Sequence, residues 1–201
     1  MIKDKNRAFY IGASDTERVI QSWNTKTFEK WWLEKQGFLS RNFSNKYTLA
    51  GTYLERRILD SLGIPMEFDT QKIIGRLRAN LDGYDGNTIY ECKTYRMKPS
   101  EAFNPPKKYL RQIYTQMYAF GVKKAILVAY GLIPKDYSNY FLPVDLNRIS
   151  LFVVEQNDDF LEKYLPRLHY LEGCLERGSF PTEEEFAREK RKRRKKEAKK
   201  E

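Results

Sequence analysis

Apolar residues in the first third of the chain recur at helical spacing. In "TLAGTYLERRILDSLGI", Leu54, Ile58 and Leu62 repeat every fourth position and the run stops at Gly63, which predicts a helix that carries Glu55. Ahead of it, "TKTFEKWWLEKQG" predicts a helix closed by Gly37, and "ASDTERVIQSW" predicts another, with Ser14 and Glu17 at capping-box spacing. The period then changes. In "QKIIGRLRANLD", Ile73, Leu77, Ala79 and Leu81 alternate with Arg76, Arg78, Asn80 and Asp82, the pattern of a single strand with one buried and one polar face. "DGYDGN" holds two Asp-Gly pairs, where a positive φ is favoured, and predicts a hairpin turn. The return strand, "TIYECKTY", sets Glu91 and Lys93 on one face.

Beyond the loop "RMKPSEAFNPPK", helical spacing from Lys107 to Phe120 places Gln112 and Gln116 on one side of a helix. "AILVAYGLI" and "ISLFVVE" read as buried strands, and "DDFLEKYLPRLHYLEGCLERG" as a helix with a kink at Pro166. Helices and hairpin strands in this order predict a mixed α/β fold. No internal repeat or long linker divides the chain, so residues 1–180 are expected as one domain and 181–201 as a basic, disordered or transiently helical tail.

Composition supports a packed core: of 201 residues, 41% are hydrophobic, and 14 Tyr and 12 Phe are among them. Trp23, Trp31 and Trp32 are read as core rather than as a base-stacking surface. The longest apolar stretch, Ala125 to Ile133, falls short of the ~20 residues that a membrane span needs. Two cysteines and an N-terminus without the layout of a secretion signal lead to an expectation of a reducing cytoplasm. The net charge of +10 is uneven: residues 188–201 hold ten Lys/Arg against three Glu, +7 of the total. That run has no apolar stripe, and its chemistry favours nonspecific attraction to phosphates over a solubilising end or a localisation signal.

Several chemistries are disfavoured. His169 is the only histidine, so histidine-based triads and multi-histidine zinc sites have little to build on. Cys92 and Cys174 cannot supply an iron–sulfur cluster, and no glycine-rich loop carries the lysine of an ATPase. Glu91 and Lys93 alone fit an exposed ion pair on an edge strand. Asp82 changes this, because two carboxylates brought together across a hairpin repel unless a cation neutralises them, and hard Mg²⁺ or Mn²⁺ prefers oxygen ligands. Glu55 can arrive from its helix as a third. Lys93 then adds a positive charge beside the ion, able to orient an attacking water and to offset charge growing on a phosphate. Asp85 rivals Asp82 for the ion but suits the turn better.

At these residues the chain resembles the PD-(D/E)xK nuclease superfamily, and within it the lambda-exonuclease or YqaJ-type viral recombinases. The likeness runs in order through "RAFYIGAS", "GTYLE", "LDGYDGNTIYECK" and "YLRQIYTQM", from about Arg7 to Ile133. It implies a restriction-endonuclease-like core, a mixed central β-sheet flanked by helices. It also implies Asp82, Glu91 and Glu55 as metal-binding carboxylates, the Cys92 carbonyl as a further ligand, Lys93 as the catalytic lysine, and Gln112 as the glutamine that helps hold the water. Arg7 and Ser14 fall where such proteins hold the 5′ phosphate of a DNA end. Leu81 stands where the motif usually has proline.

The function implied is a Mg²⁺- or Mn²⁺-dependent DNA nuclease, an end-dependent exonuclease in viral DNA recombination or processing, working in the host cytoplasm. Its DNA, double-stranded with free ends, is expected to run over Arg76 and Arg78 without sequence readout. A homotrimer and a single-strand-annealing partner are implied by resemblance only. Three alternatives stay open: an endonuclease of the same superfamily, a nuclease-fold binding or regulatory protein without cleavage, and a basic-tailed interaction protein.

Overall fold

The computed structural model describes residues 7–39, 46–98 and 101–197, with only the backbone of Arg7, 46–48 and 193–197. One six-stranded sheet organises it: β1 (Ile11–Gly12), β2 (Glu67–Ile74), β3 (Leu77–Tyr84), β4 (Thr88–Arg96), β5 (Lys124–Leu132) and β6 (Ile149–Glu155). Strand order is β1-β3-β4-β5-β6, with β2 pairing along β3. The β1/β3 and β4/β5 pairs are parallel and the others antiparallel. The order of helices and strands predicted a mixed α/β fold, and this is the mixed central sheet that the resemblance implied.

The stretch read as one strand from Gln71 to Asp82 is two. Gly75, at φ +57°, turns the chain between β2 and β3, and a Cβ there would lie 3.1 Å from Glu172 Oε1. The period of two continues across this turn, which hid it. Ile73 and Ile74 are accordingly exposed on β2 instead of lining the core.

On its other side β3 has two short partners. β1 meets it at Leu77 and Arg78, and β4 only at Gly83 and Tyr84. Between these contacts, at residues 79–82, β3 and β4 part into a fork, while β4 continues against β5 through all nine of its residues.

Helices cover both faces. The helices are α1 (Thr16–Ile20), α2 (Lys26–Lys35), α3 (Lys46–Asp60), α4 (Lys107–Phe120), α5 (Asp158–Arg177) and α6 (Glu183–Glu197). On one face Leu54, Ile58 and Leu59 of α3 pack on Tyr90, Cys92, Val128 and Tyr130. On the other, Ile113 and Met117 of α4 pack on Leu81, Ile89 and Leu127, and α1, α2 and α5 enclose Leu77 and Ala79 with all three tryptophans. The tryptophans are thus core. Residues 183–186 pack on α5, where Glu183 pairs with Arg167 at 2.9 Å, Glu185 accepts from Tyr170 Oη, and Phe186 meets the Tyr170 ring.

Two local expectations change. Ser14 does not cap a helix: it lies exposed in a 3-10 turn, Ala13–Asp15, and Asp15 instead accepts the Gly12 N–H at 2.9 Å and pairs with Lys35 at 2.7 Å. Strand β6 is not buried on both faces. It is the sheet edge, so Val154 packs inward while Leu151 and Val153 are 53% and 65% exposed. Cys92 and Cys174 are free and buried. Among the described residues no helix is long and apolar enough to cross a membrane.

Candidate active site

The fork between β3 and β4 positions the candidate residues. Alternation along β4 sends Ile89 and Glu91 toward α4, and Tyr90 and Cys92 toward α3. Where β3 lacks a ladder partner, the Asp82 carboxylate replaces one: its Oδ2 accepts the Cys92 backbone N–H at 2.8 Å. Glu55 approaches the same place from α3, near enough for its charge to act on Asp82.

Glu91 is only 1% exposed, yet its charge is matched on every side. Its Oε1 accepts from Lys93 Nζ and from Gln112 Nε2. Its Oε2 accepts from Gln116 Nε2 at 2.6 Å, and the same amide donates to the Asn80 carbonyl at 3.0 Å. The Lys93 ammonium also lies 5.7 Å from the centre of the Tyr109 ring. Helix α4 can do this because Gln112 and Gln116 are one turn apart on a single face.

Electrostatics follow from this crowding. Burial pushes the Asp82 carboxyl well above the ordinary aspartate range, and the negative charges of Glu91 and Glu55 push it further. Burial and Glu91 likewise raise Glu55. Burial works to lower the Lys93 ammonium, but Glu91 and Asp82 outweigh it and hold the group above the usual lysine range. The Cys92 thiol, pushed up by burial and then by Asp82 and Glu55, stays protonated.

The expected cluster of three carboxylates is assembled only in part. Among the described residues no three His, Cys, Asp or Glu side chains gather closely enough to hold a metal ion. Asp82 and Glu55 meet, whereas strand alternation puts Glu91 on the α4 side, where an ammonium and two amides take its oxygens. The chemistry of the donors still suits a hard divalent ion. The Glu55 charge disfavours ionisation of Asp82, and a cation beside the two carboxylates removes that repulsion.

Asp85 is committed to the turn, accepting from the Asn87 and Thr88 N–H groups at 2.9 and 2.7 Å and from Tyr90 Oη. Arg78 is 7% exposed and faces the Tyr10 ring at 5.7 Å. Arg76 is partly exposed, 3.9 Å from Glu176 and within hydrogen-bonding distance of the Phe9 carbonyl. Arg7 begins a 3-10 turn, Arg7–Phe9, and its side chain lies outside the described residues. Ser14 sits in an exposed turn that the buried Asp15–Lys35 pair holds in place, while Lys35 also donates to the Tyr10 carbonyl at 2.6 Å.

Two residues near the fork were given no role from the sequence. Gln116 follows Gln112 by four positions, a spacing that places it on the same face, but nothing in the sequence says that both reach Glu91. Asp69 adds negative charge near Glu55 from β2, where it is the one described non-glycine residue at positive φ, +53°. It lies opposite Asp82 in a register that pairs Phe68 with Gly83 and Thr70 with Leu81 but skips this position.

No family model and no curated protein matches the sequence. Solved structures do. An alkaline exonuclease from Laribacter hongkongensis superposes with a TM-score of 0.62 at 18% identity, over 94% of this chain and 95% of that one. Its complex with dAMP gives 0.61 at 18% identity, over 94% and 96%. The chain has the fold of these exonucleases. A phage-related exonuclease from Haemophilus somnus shares that fold, with a TM-score of 0.58 at 15% identity over 87% of this chain and 97% of its own. The restriction-endonuclease-like core implied by the sequence motifs is consistent with these matches, which span nearly the whole of each chain.

Proposed function

We propose that this chain is a deoxyribonuclease that uses Mg²⁺ or Mn²⁺ to hydrolyse phosphodiester bonds, acting as an exonuclease on duplex DNA with free ends in viral DNA recombination or processing. One observation carries this reading. Glu91 and Lys93 from β4, Asp82 from β3 and Glu55 from α3 converge at a single fork, in a fold shared with known exonucleases.

Asp82 and Glu55 would hold the ion, with the Cys92 carbonyl as a further oxygen donor, and Glu91 would join them by exchanging a hydrogen bond from Lys93 or a glutamine for the ion. When bound, such an ion polarises the phosphate and makes a water more acidic. Lys93 orients the attacking water and offsets negative charge on the phosphate oxygens as it grows. Gln112, through its bond to Glu91, keeps that carboxylate aligned. In the step itself the water oxygen bonds to phosphorus, the bond from phosphorus to the leaving nucleoside oxygen breaks, and the water proton ends on that oxygen.

Around this centre, Ser14 and Arg7 take the 5′ phosphate of the DNA end, and Arg76 serves the backbone path, whereas Arg78, expected beside it, is too buried to reach DNA. The domain of residues 1–180 carries the chemistry. The basic residues of 181–201 add sequence-independent attraction to DNA, which weakens as salt rises. A homotrimer and a partner that anneals single strands belong to the same proposal.

The test compares linear duplex DNA, with and without a 5′ phosphate, against closed circles, using wild type and Lys93→Ala with Mg²⁺. Loss of linear DNA only, dependent on Mg²⁺ and on Lys93, is the expected result. Cutting by Lys93→Ala at the wild-type rate refutes the mechanism, and cutting of closed circles makes the enzyme an endonuclease.

A further inference from the structure

We infer that Gln116 is a positioning residue of the metal site: it braces helix α4 into the β3/β4 fork and sets how far Glu91 stands from Asp82. This deepens the metal-dependent reading above and rests on it.

The geometry is specific. Gln116 is fully buried, and its side-chain amide spends both hydrogens in the fork, one on Glu91 Oε2 at 2.6 Å and one on the Asn80 carbonyl at 3.0 Å. Both partners can only accept, so the amide has one orientation and cannot be turned end for end. The two bonds join opposite banks of the fork. Glu91 belongs to β4, and Asn80 lies two residues before Asp82 in the part of β3 that no β4 backbone pairs with. Where a ladder would hold two strands at fixed spacing, this glutamine does so together with the bond from the Cys92 N–H to Asp82.

Gln112 has a different position. It reaches Glu91 Oε1, the oxygen that Lys93 also takes, and is itself only partly buried. It makes no bond to β3, so it can align Glu91 without fixing the fork. The Oε1 of Gln116 is buried with no hydrogen-bond partner among the described residues. A buried acceptor in polar surroundings is the kind of group that holds an ordered water, and this one stands beside the oxygens that would bind the ion.

Outer partners of metal-ligating carboxylates typically alter metal affinity or activity by about 10–100-fold when removed. Gln116→Met keeps the length and the apolar stem but neither hydrogen bond. Mn²⁺ binding, measured by calorimetry on the full chain without DNA, is expected to weaken about 10–100-fold in Gln116→Met while the circular dichroism spectrum is kept. Gln116→Asn, which retains the amide but withdraws it by one methylene, is expected to weaken binding as well, and serves where the Met variant does not fold. Unchanged Mn²⁺ affinity in a folded variant overturns the inference and leaves the metal-dependent reading standing. Absence of Mn²⁺ binding to the wild type overturns that reading, and the inference with it.

Discussion

Removal of the Lys93 ammonium separates what the charge does for stability from what it does for chemistry. Lys93→Met keeps the stem and deletes the partner of a carboxylate that is 1% exposed. Breaking a buried pair by removing one member costs about 3–5 kcal/mol. Two features reduce that here. The Lys93 side chain is 22% exposed, and Glu91 keeps the amides of Gln112 and Gln116 as donors. What is lost is closer to one hydrogen bond to a charged group, about 1.5–3 kcal/mol. For a chain of this size that lowers Tm by about 3–12 °C. The measurement is thermal unfolding followed by circular dichroism in EDTA, beside hydrolysis of linear duplex DNA in Mg²⁺. Adding Glu91→Gln should recover most of the stability, because the stranded charge is gone, and should recover none of the hydrolysis. A single variant as stable as wild type, or a double variant less stable than the single one, refutes the buried-pair reasoning.

Other consequences lie nearby and far from the fork. Asp136→Ala removes the nearer partner of the Arg148 guanidinium, which pairs with Asp136 at 2.5 Å, is 11% exposed and keeps Asp145 at 3.5 Å and the Gly131 carbonyl at 3.2 Å. With those partners kept, the loss is expected at about 1.5–3 kcal/mol in urea unfolding, with hydrolysis per folded molecule unchanged. Gly75→Ala forces a Cβ into the left-handed region and to 3.1 Å from Glu172 Oε1, and should cost about 1–2 kcal/mol by the same measurement. Asp82 and Glu55 bind protons more tightly in the folded chain than in the unfolded one, so the folded state holds more protons between their ordinary and raised pKa values. Metal-free stability should therefore fall as pH rises through that window, Mg²⁺ should restore it at neutral pH, and Asp82→Asn should flatten both responses in a Tm-versus-pH series.

Much of the site was legible before any fold was known, because its residues sit on elements with strong local signals. The four-residue repeat through Leu54, Ile58 and Leu62 fixes a helix, and Glu55 travels with it. Of the two Asp-Gly pairs read as a turn, Asp85-Gly86 makes it while Asp82-Gly83 lies inside β3, where the sheet pairs Gly83 on both sides, and the strand after the turn carries Glu91 and Lys93 on one face. The limits were set by the same local character. A period of two runs unbroken through Gly75 because β2 and β3 are both strands, so the turn between them, and Asp69 with it, left no mark in the alternation. Ser14 had the spacing of a capping residue, but Asp15 is drawn inward by Lys35 from a different helix and takes the Gly12 N–H instead.

What the sequence determined by itself is the set of groups that carry chemistry and the helix or strand on which each one rides, since backbone periodicity and turn geometry depend on neighbours a few residues away. Tertiary structure alone decided which of those groups touch. Glu55 with Asp82, and Glu91 with Gln112 and Gln116, meet because β3 and β4 separate at residues 79–82 while α3 and α4 close over opposite faces of the sheet. Such contacts join positions up to 27 residues apart in the chain. They are set by how buried surfaces fit together, which no local pattern encodes.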